Sequence, residues 1–252
     1  MPDTGHTQDK LTYSGYLRLD RLLTAQEPRS NEHDEMLFIV IHQVYELWFK
    51  QLLHEFANLQ RLLEAGESTH SMRTLRRILA ILKIVVAQLD VLETMTPAQF
   101  RTFRDALGTS SGFESVQFRE LEATVGRRDF PKWAPQPEAA ARPSVFDSFL
   151  RYLTTQGYEV PARDFTAPIE ASGSMQQILK QVYDDDAGAA VISELLVDLD
   201  EGLQEWRYRH VKMVERTIGG QRGTGGSTGA AYLSSTVGKP IFPDLWAMRS
   251  LG

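Results

Sequence analysis

Residues 33–65 read HDEMLFIVIHQVYELWFKQLLHEFANLQRLLEA. Leu37, Ile41, Tyr45, Trp48, Leu52, Phe56, Leu59 and Leu63 recur with helical spacing, so the stretch predicts one long α-helix. Phe38, His42 and Phe49 widen the apolar face until little polar surface remains in the first half. A helix of that kind must be covered on most sides. Its start is expected at Ser30 or Asn31, either of which can cap it, with Asp34 and Glu35 in the first turn.

Working outward, the chain supplies more helices to cover it. Met72, Leu75, Leu79, Leu82, Val86 and Leu89 form one stripe between Ser68 and about Met95, with Arg73, Arg76 and Arg77 outside. Thr96-Pro97-Ala98-Gln99 reads as a capping box with proline at the first helical position. That opens a short helix through Phe100, Phe103, Arg104 and Leu107, stopping at Gly108. Ser110, Ser111 and Gly112 link it to another helix, about 113–125. Residues 127–143 hold four prolines and are expected to form a loop. Helices follow over 145–155, 174–183 and about 187–218. Six glycines within residues 219–229 then end helix formation, and a short apolar tail closes with Phe242-Pro243-Asp244-Leu245-Trp246. In the other direction, a turn over 26–30 leads back to residues 11–23, with Leu11, Leu19, Leu22, Leu23, Tyr13 and Tyr16; residues 1–10 are expected to be a disordered tail. No repeat and no strand alternation interrupts the pattern. The predicted fold is all-α, a helical bundle with several long members, forming one domain over residues 11–252.

Composition narrows the function classes. The 252 residues carry 27 Lys+Arg against 33 Asp+Glu, a net charge of −6, where a nucleic-acid-coating protein would show a basic excess. Cysteine is absent, which removes disulfides, thiolate nucleophiles, iron–sulfur clusters and Cys-ligated zinc, and suits a reducing compartment. The polar start MPDTGHTQDK has no apolar signal core, and no apolar run approaches a membrane span. The expectation is a cytoplasmic protein without membrane or nucleic-acid partners.

Of the six histidines, His6, His33, His54 and His70 sit at polar or helix-start positions. His42 and His210 lie on apolar stripes: His42 follows Phe38 by four residues, and His210 follows Trp206 by four. Each alone reads most simply as a core histidine bonded to backbone or water. Two of them on separate helices also suit the walls of a haem pocket. Rival metal schemes are weak, because the paired Glu-x-x-His motifs of di-iron bundles and a His-x-x-x-His zinc pair are both missing. The glycine-rich run lacks the phosphate-loop order. It reads either as a plain connection or as a segment whose Thr224 and backbone N–H groups close over an anionic or zwitterionic ligand. Arg104 shares a face with Phe100 and Leu107. It either snorkels outward or, held inside, pairs with a carboxylate, for which a ligand's carboxylate is favourable.

Five segments carry a resemblance: LTYSGYLRLD (11–20), HDEMLFIVIHQVYELW (33–48), FRTFRDALGTSSGF (100–113), QEWRYRH (204–210) and RGTGGSTG (222–229). In this order they resemble the tryptophan 2,3-dioxygenases, tetrameric all-α haem enzymes, over nearly the whole chain. The resemblance implies haem b as cofactor, His210 as the iron's axial ligand and Ser111 beside the haem. It implies His42 as the catalytic acceptor of the indole N–H, with Phe38 and Phe100 lining the substrate pocket. Arg104 would pair with the substrate carboxylate and Thr224 would hold its zwitterionic end. Tyr13 and Tyr16 match tyrosines lent to a neighbouring subunit's pocket in a homotetramer. The implied reaction inserts O2 across the indole C2–C3 bond of L-tryptophan, giving N-formylkynurenine. A relative oxygenating a modified tryptophan, and a haem sensor or carrier without turnover, remain the alternative readings.

Overall fold

The computed structural model describes residues 11–131, 136–224 and 229–251. The disordered tail expected over 1–10 and part of the glycine-rich run, 225–228, lie outside the described residues. Among those described, every regular element is helical.

Three long helices frame the molecule: α3 (His33–Glu64), α4 (Ser68–Leu92) and α9 (Gly188–Ile218). The 31 residues of α9 span about 46 Å. Its most extensive packing is against α4, and Gly202 permits it: a Cβ there would stand 2.7 Å from Leu82 Cδ2. Helix α3 packs on α4, on α6 (Val116–Val125) and on α7 (Val145–Thr155). Between α3 and α4, Tyr45 Oη donates to the Val85 carbonyl at 3.1 Å and Gln88 Nε2 donates to the Ile41 carbonyl at 2.9 Å. These bonds satisfy polar groups inside the packed interface, where an unmade bond would cost about 1–3 kcal/mol.

The capping box at Thr96 is present, with Pro97 opening α5 (Pro97–Phe103). Beyond it the chain tightens into a 3-10 turn over Arg104–Leu107, so Arg104 ends one element and begins the next. The start of α3 differs from expectation. Glu32 is its N-cap and makes no side-chain cap bond. Instead the buried Glu35 carboxylate reaches back to the Arg29 and Ser30 N–H groups, both at 2.7 Å, and to Ser30 Oγ. Burial pushes this carboxyl up, but those hydrogen bonds outweigh burial and hold it below its ordinary range. They pin the turn from which the N-terminal arm departs. The arm forms two short helices, α1 (Tyr13–Leu17) and α2 (Leu19–Leu22), hinged at Arg18 with φ 51° and burying none of their residues.

At the other end, Asp200 on α9 is fully buried and gathers the C-terminal segment. It accepts from the Ile241 and Phe242 N–H groups at 2.8 and 3.0 Å and from Trp246 Nε1 at 3.0 Å. Phe242 thereby reaches the core beside Phe146, with ring centroids 5.6 Å apart. No helix of the described residues is long and apolar enough to cross a membrane.

Candidate functional site

One large cavity, about 290 Å³, opens between α3, α4, α5, α6 and α9. It brings together Phe38, His42, Phe100, Arg104, Ser111, His210 and Thr224, residues separated by up to 186 positions in sequence. Tyr13 and Tyr16 stand outside it, 76% and 71% exposed on the arm.

Its walls are aromatic because α3, α5, α6 and α9 each turn rings toward it. On one side Phe38 lies 4.1 Å from the His42 ring and 5.8 Å from Phe100, centroid to centroid. On the other, Trp206 lies 4.9 Å from His210 and 4.8 Å from Phe118. Such surfaces favour a flat, apolar guest.

The two imidazoles are electrically neutral for the same main reason. Burial pushes His42 below its ordinary range, against the opposing pull of the Phe38 carbonyl and Glu46. Burial also pushes His210 down, to about 4, and the nearby His42 adds to it. Both rings line the same cavity. His42 Nδ1 lies 2.7 Å from the Phe38 carbonyl oxygen. A carbonyl only accepts, so Nδ1 carries the proton and Nε2 keeps a lone pair. A neutral imidazole is likewise the metal-ligating form for His210.

At one edge of the cavity Arg104 is half-buried, and its partners among the described residues are neutral: Gln221 Oε1 and, at 2.6 Å, the Arg222 carbonyl. Among the described residues no carboxylate pairs with it. Thr224 donates to the Ser110 carbonyl, tying Thr224 to the Ser110–Gly112 link. Gly229, with φ 62°, comes close to Gln221: a Cβ there would stand 2.7 Å from the Gln221 carbonyl oxygen.

A second group of charges was not legible from spacing. Arg207 is buried and meets Glu122 at 3.0 Å, while Arg127 meets Glu122 at 2.7 Å and Asp129 at 2.8 Å. Arg207, Arg127 and Glu122 all line the cavity. The available signal was that Arg207 precedes His210 by three residues and so shares its helix face. The Glu-x-x-His stretch at 67–70 closes on itself at the surface, Glu67 to His70 at 2.9 Å.

Residues 3–134 and 163–251 match the family model described as tryptophan 2,3-dioxygenase. The chain is similar to the tryptophan 2,3-dioxygenase of Anaeromyxobacter dehalogenans (strain 2CP-C), 57% identical over 262 residues and 99% of each chain. It is 53% identical to that of Herpetosiphon aurantiacus, over 95% of this chain and 98% of the relative. The tryptophan 2,3-dioxygenase of Pseudomonas fluorescens is 37% identical, over 96% and 91% respectively.

Proposed function

The chain belongs to the tryptophan 2,3-dioxygenase family, and we propose that it inserts both atoms of O2 across the indole C2–C3 bond of L-tryptophan, giving N-formylkynurenine. The product is the first of the kynurenine route of tryptophan breakdown. The observation that carries this reading is the pair of neutral imidazoles, from α3 and α9, opening on one aromatic-walled cavity.

The donor set fits haem b. His210 offers a neutral imidazole from the apolar stripe of α9, the form that ligates iron. Trp206 and Phe118 beside it suit a porphyrin face, while the guanidiniums of Arg207 and Arg127 on the same wall are held by Glu122. Ser111, on the cavity wall, would contribute a hydroxyl to the same cofactor. When bound, haem supplies the redox iron at which O2 reacts.

The remaining residues place the substrate. Phe38 and Phe100 offer flat apolar surface to the indole. His42 Nε2 accepts the indole N–H, its tautomer held by the Phe38 carbonyl. Arg104 pairs with the α-carboxylate, which supplies the charge its neutral partners lack. Thr224 Oγ1 meets the zwitterionic end from the glycine-rich segment. Together these contacts fix the indole C2–C3 edge in a water-poor space, the positioning that a reaction between two bound partners needs. The exposed arm carrying Tyr13 and Tyr16 reaches into a neighbour's pocket in a homotetramer, and the cysteine-free chain works in the cytoplasm.

The test is to load the protein with haem, reduce it, and add L-tryptophan in air. Appearance of N-formylkynurenine absorbance supports the reading. A haem spectrum without product favours a sensor or carrier, and turnover of ring-substituted tryptophans alone favours a modified substrate.

A further inference from the structure

We propose that Gln221 is a positioning residue for Arg104, gripping the guanidinium from behind with an uncharged oxygen so that its full charge faces the substrate carboxylate. The inference rests on the proposed binding of an amino acid carboxylate by Arg104.

Arg104 stands between two hollows. One is the main cavity. The other is a cleft of about 220 Å³ between α5 and the C-terminal end of α9, walled in part by Pro97, Arg101, Arg216, Gly219 and Glu215, whose carboxylate is taken by Lys212 Nζ at 2.8 Å. Gln221 lines this second cleft and is not on the wall of the main cavity. Its Oε1 accepts from Arg104 Nη1, while the Arg222 carbonyl accepts from Nη2 at 2.6 Å. A guanidinium has five N–H donors, so two spent on these acceptors leave three.

The chemistry of the grip matters. A carboxylate in place of the amide would hold the guanidinium more firmly but would neutralise it, and the substrate would meet an ion pair already made. An amide oxygen orients without neutralising. Gln221 is itself braced, since Gly229 crosses its carbonyl at a distance that leaves no room for a Cβ. The Thr224 hydroxyl ties the same segment to Ser110. The stretch that reaches the cavity wall at Gly223 and Thr224 thus also aims the cation at its edge.

The experiment compares binding of L-tryptophan and of tryptamine, which lacks the carboxylate, to the haem-loaded wild type, Gln221→Glu and Gln221→Ala. Gln221→Glu is expected to weaken L-tryptophan about tenfold or more while tryptamine changes by less than about twofold. Gln221→Ala, which frees the guanidinium without neutralising it, is expected to weaken L-tryptophan by about threefold to tenfold, as a rise in KM with kcat nearly unchanged. Unchanged L-tryptophan affinity in either Gln221→Ala or Gln221→Glu overturns the inference, and so does an equal loss of both ligands. Failure of the wild type to bind L-tryptophan at all overturns the functional reading beneath it.

Discussion

The Nδ1 of His42 donates to the carbonyl oxygen of Phe38, one helical turn earlier, at 2.7 Å. That bond spends the proton on the helix itself and leaves the other ring nitrogen as an acceptor on the cavity wall. Burial, which pushes the imidazole below its ordinary range, keeps the acceptor available at neutral pH. One backbone oxygen therefore sets which polar edge the site offers an indole.

The sign of the pH dependence follows. A histidine whose folded pKa is depressed stays neutral until the pH falls below its ordinary value of 6.5. The kcat/KM for L-tryptophan is expected to be flat from pH 6.5 upward through neutrality and to fall only at lower pH. His42→Ala is expected to lower kcat/KM about 10- to 100-fold, the loss of one hydrogen bond to a buried N–H. Steady-state kinetics across pH check both.

Arg104→Leu removes the cation whose partners among the described residues are neutral. The expected cost in L-tryptophan binding is about 2–5 kcal/mol, read as a steep rise in KM. An unchanged KM removes Arg104 from the substrate site.

His210→Ala is expected to fold but to give no normal Soret band after reconstitution with haem, because no second neutral imidazole of α9 replaces it. Absorbance spectra with circular dichroism separate cofactor loss from unfolding.

Asp200→Ala deserts four donors at once: the Ile241 and Phe242 N–H groups, Trp246 Nε1 and the part-buried Gln204 Nε2. Each buried donor left unsatisfied costs about 1–3 kcal/mol, so a loss near 3–5 kcal/mol is expected after partial relaxation. Denaturant unfolding measures it.

The long helices were legible because each buries one broad stripe, and burial imposes the period on the sequence. His42 and His210 were visible for the same reason, as polar rings on apolar stripes. Ends and tight turns were less so. Ser30 is a cap by residue type, yet its hydroxyl donates to the Glu35 carboxylate and accepts from the Glu32 N–H, while that carboxylate takes the Arg29 and Ser30 N–H groups ahead of the helix, an arrangement set by the turn's path. The 3-10 turn at Arg104 differs from an α-turn by a shift of one hydrogen bond, which no residue type there signals. The Glu122–Arg207 pair joins residues 85 apart, and Gln221 meets Arg104 across 117. Such pairings come from packing: local spacing puts Arg207 on the His210 face but names no partner for it.

Reaction of the reduced, haem-loaded protein with L-tryptophan under ¹⁸O2, followed by mass spectrometry of the product, tests the proposed chemistry most directly. The expected result is N-formylkynurenine carrying two labelled oxygen atoms from one molecule of O2. A product with a single labelled oxygen, or an intact indole ring, would contradict it.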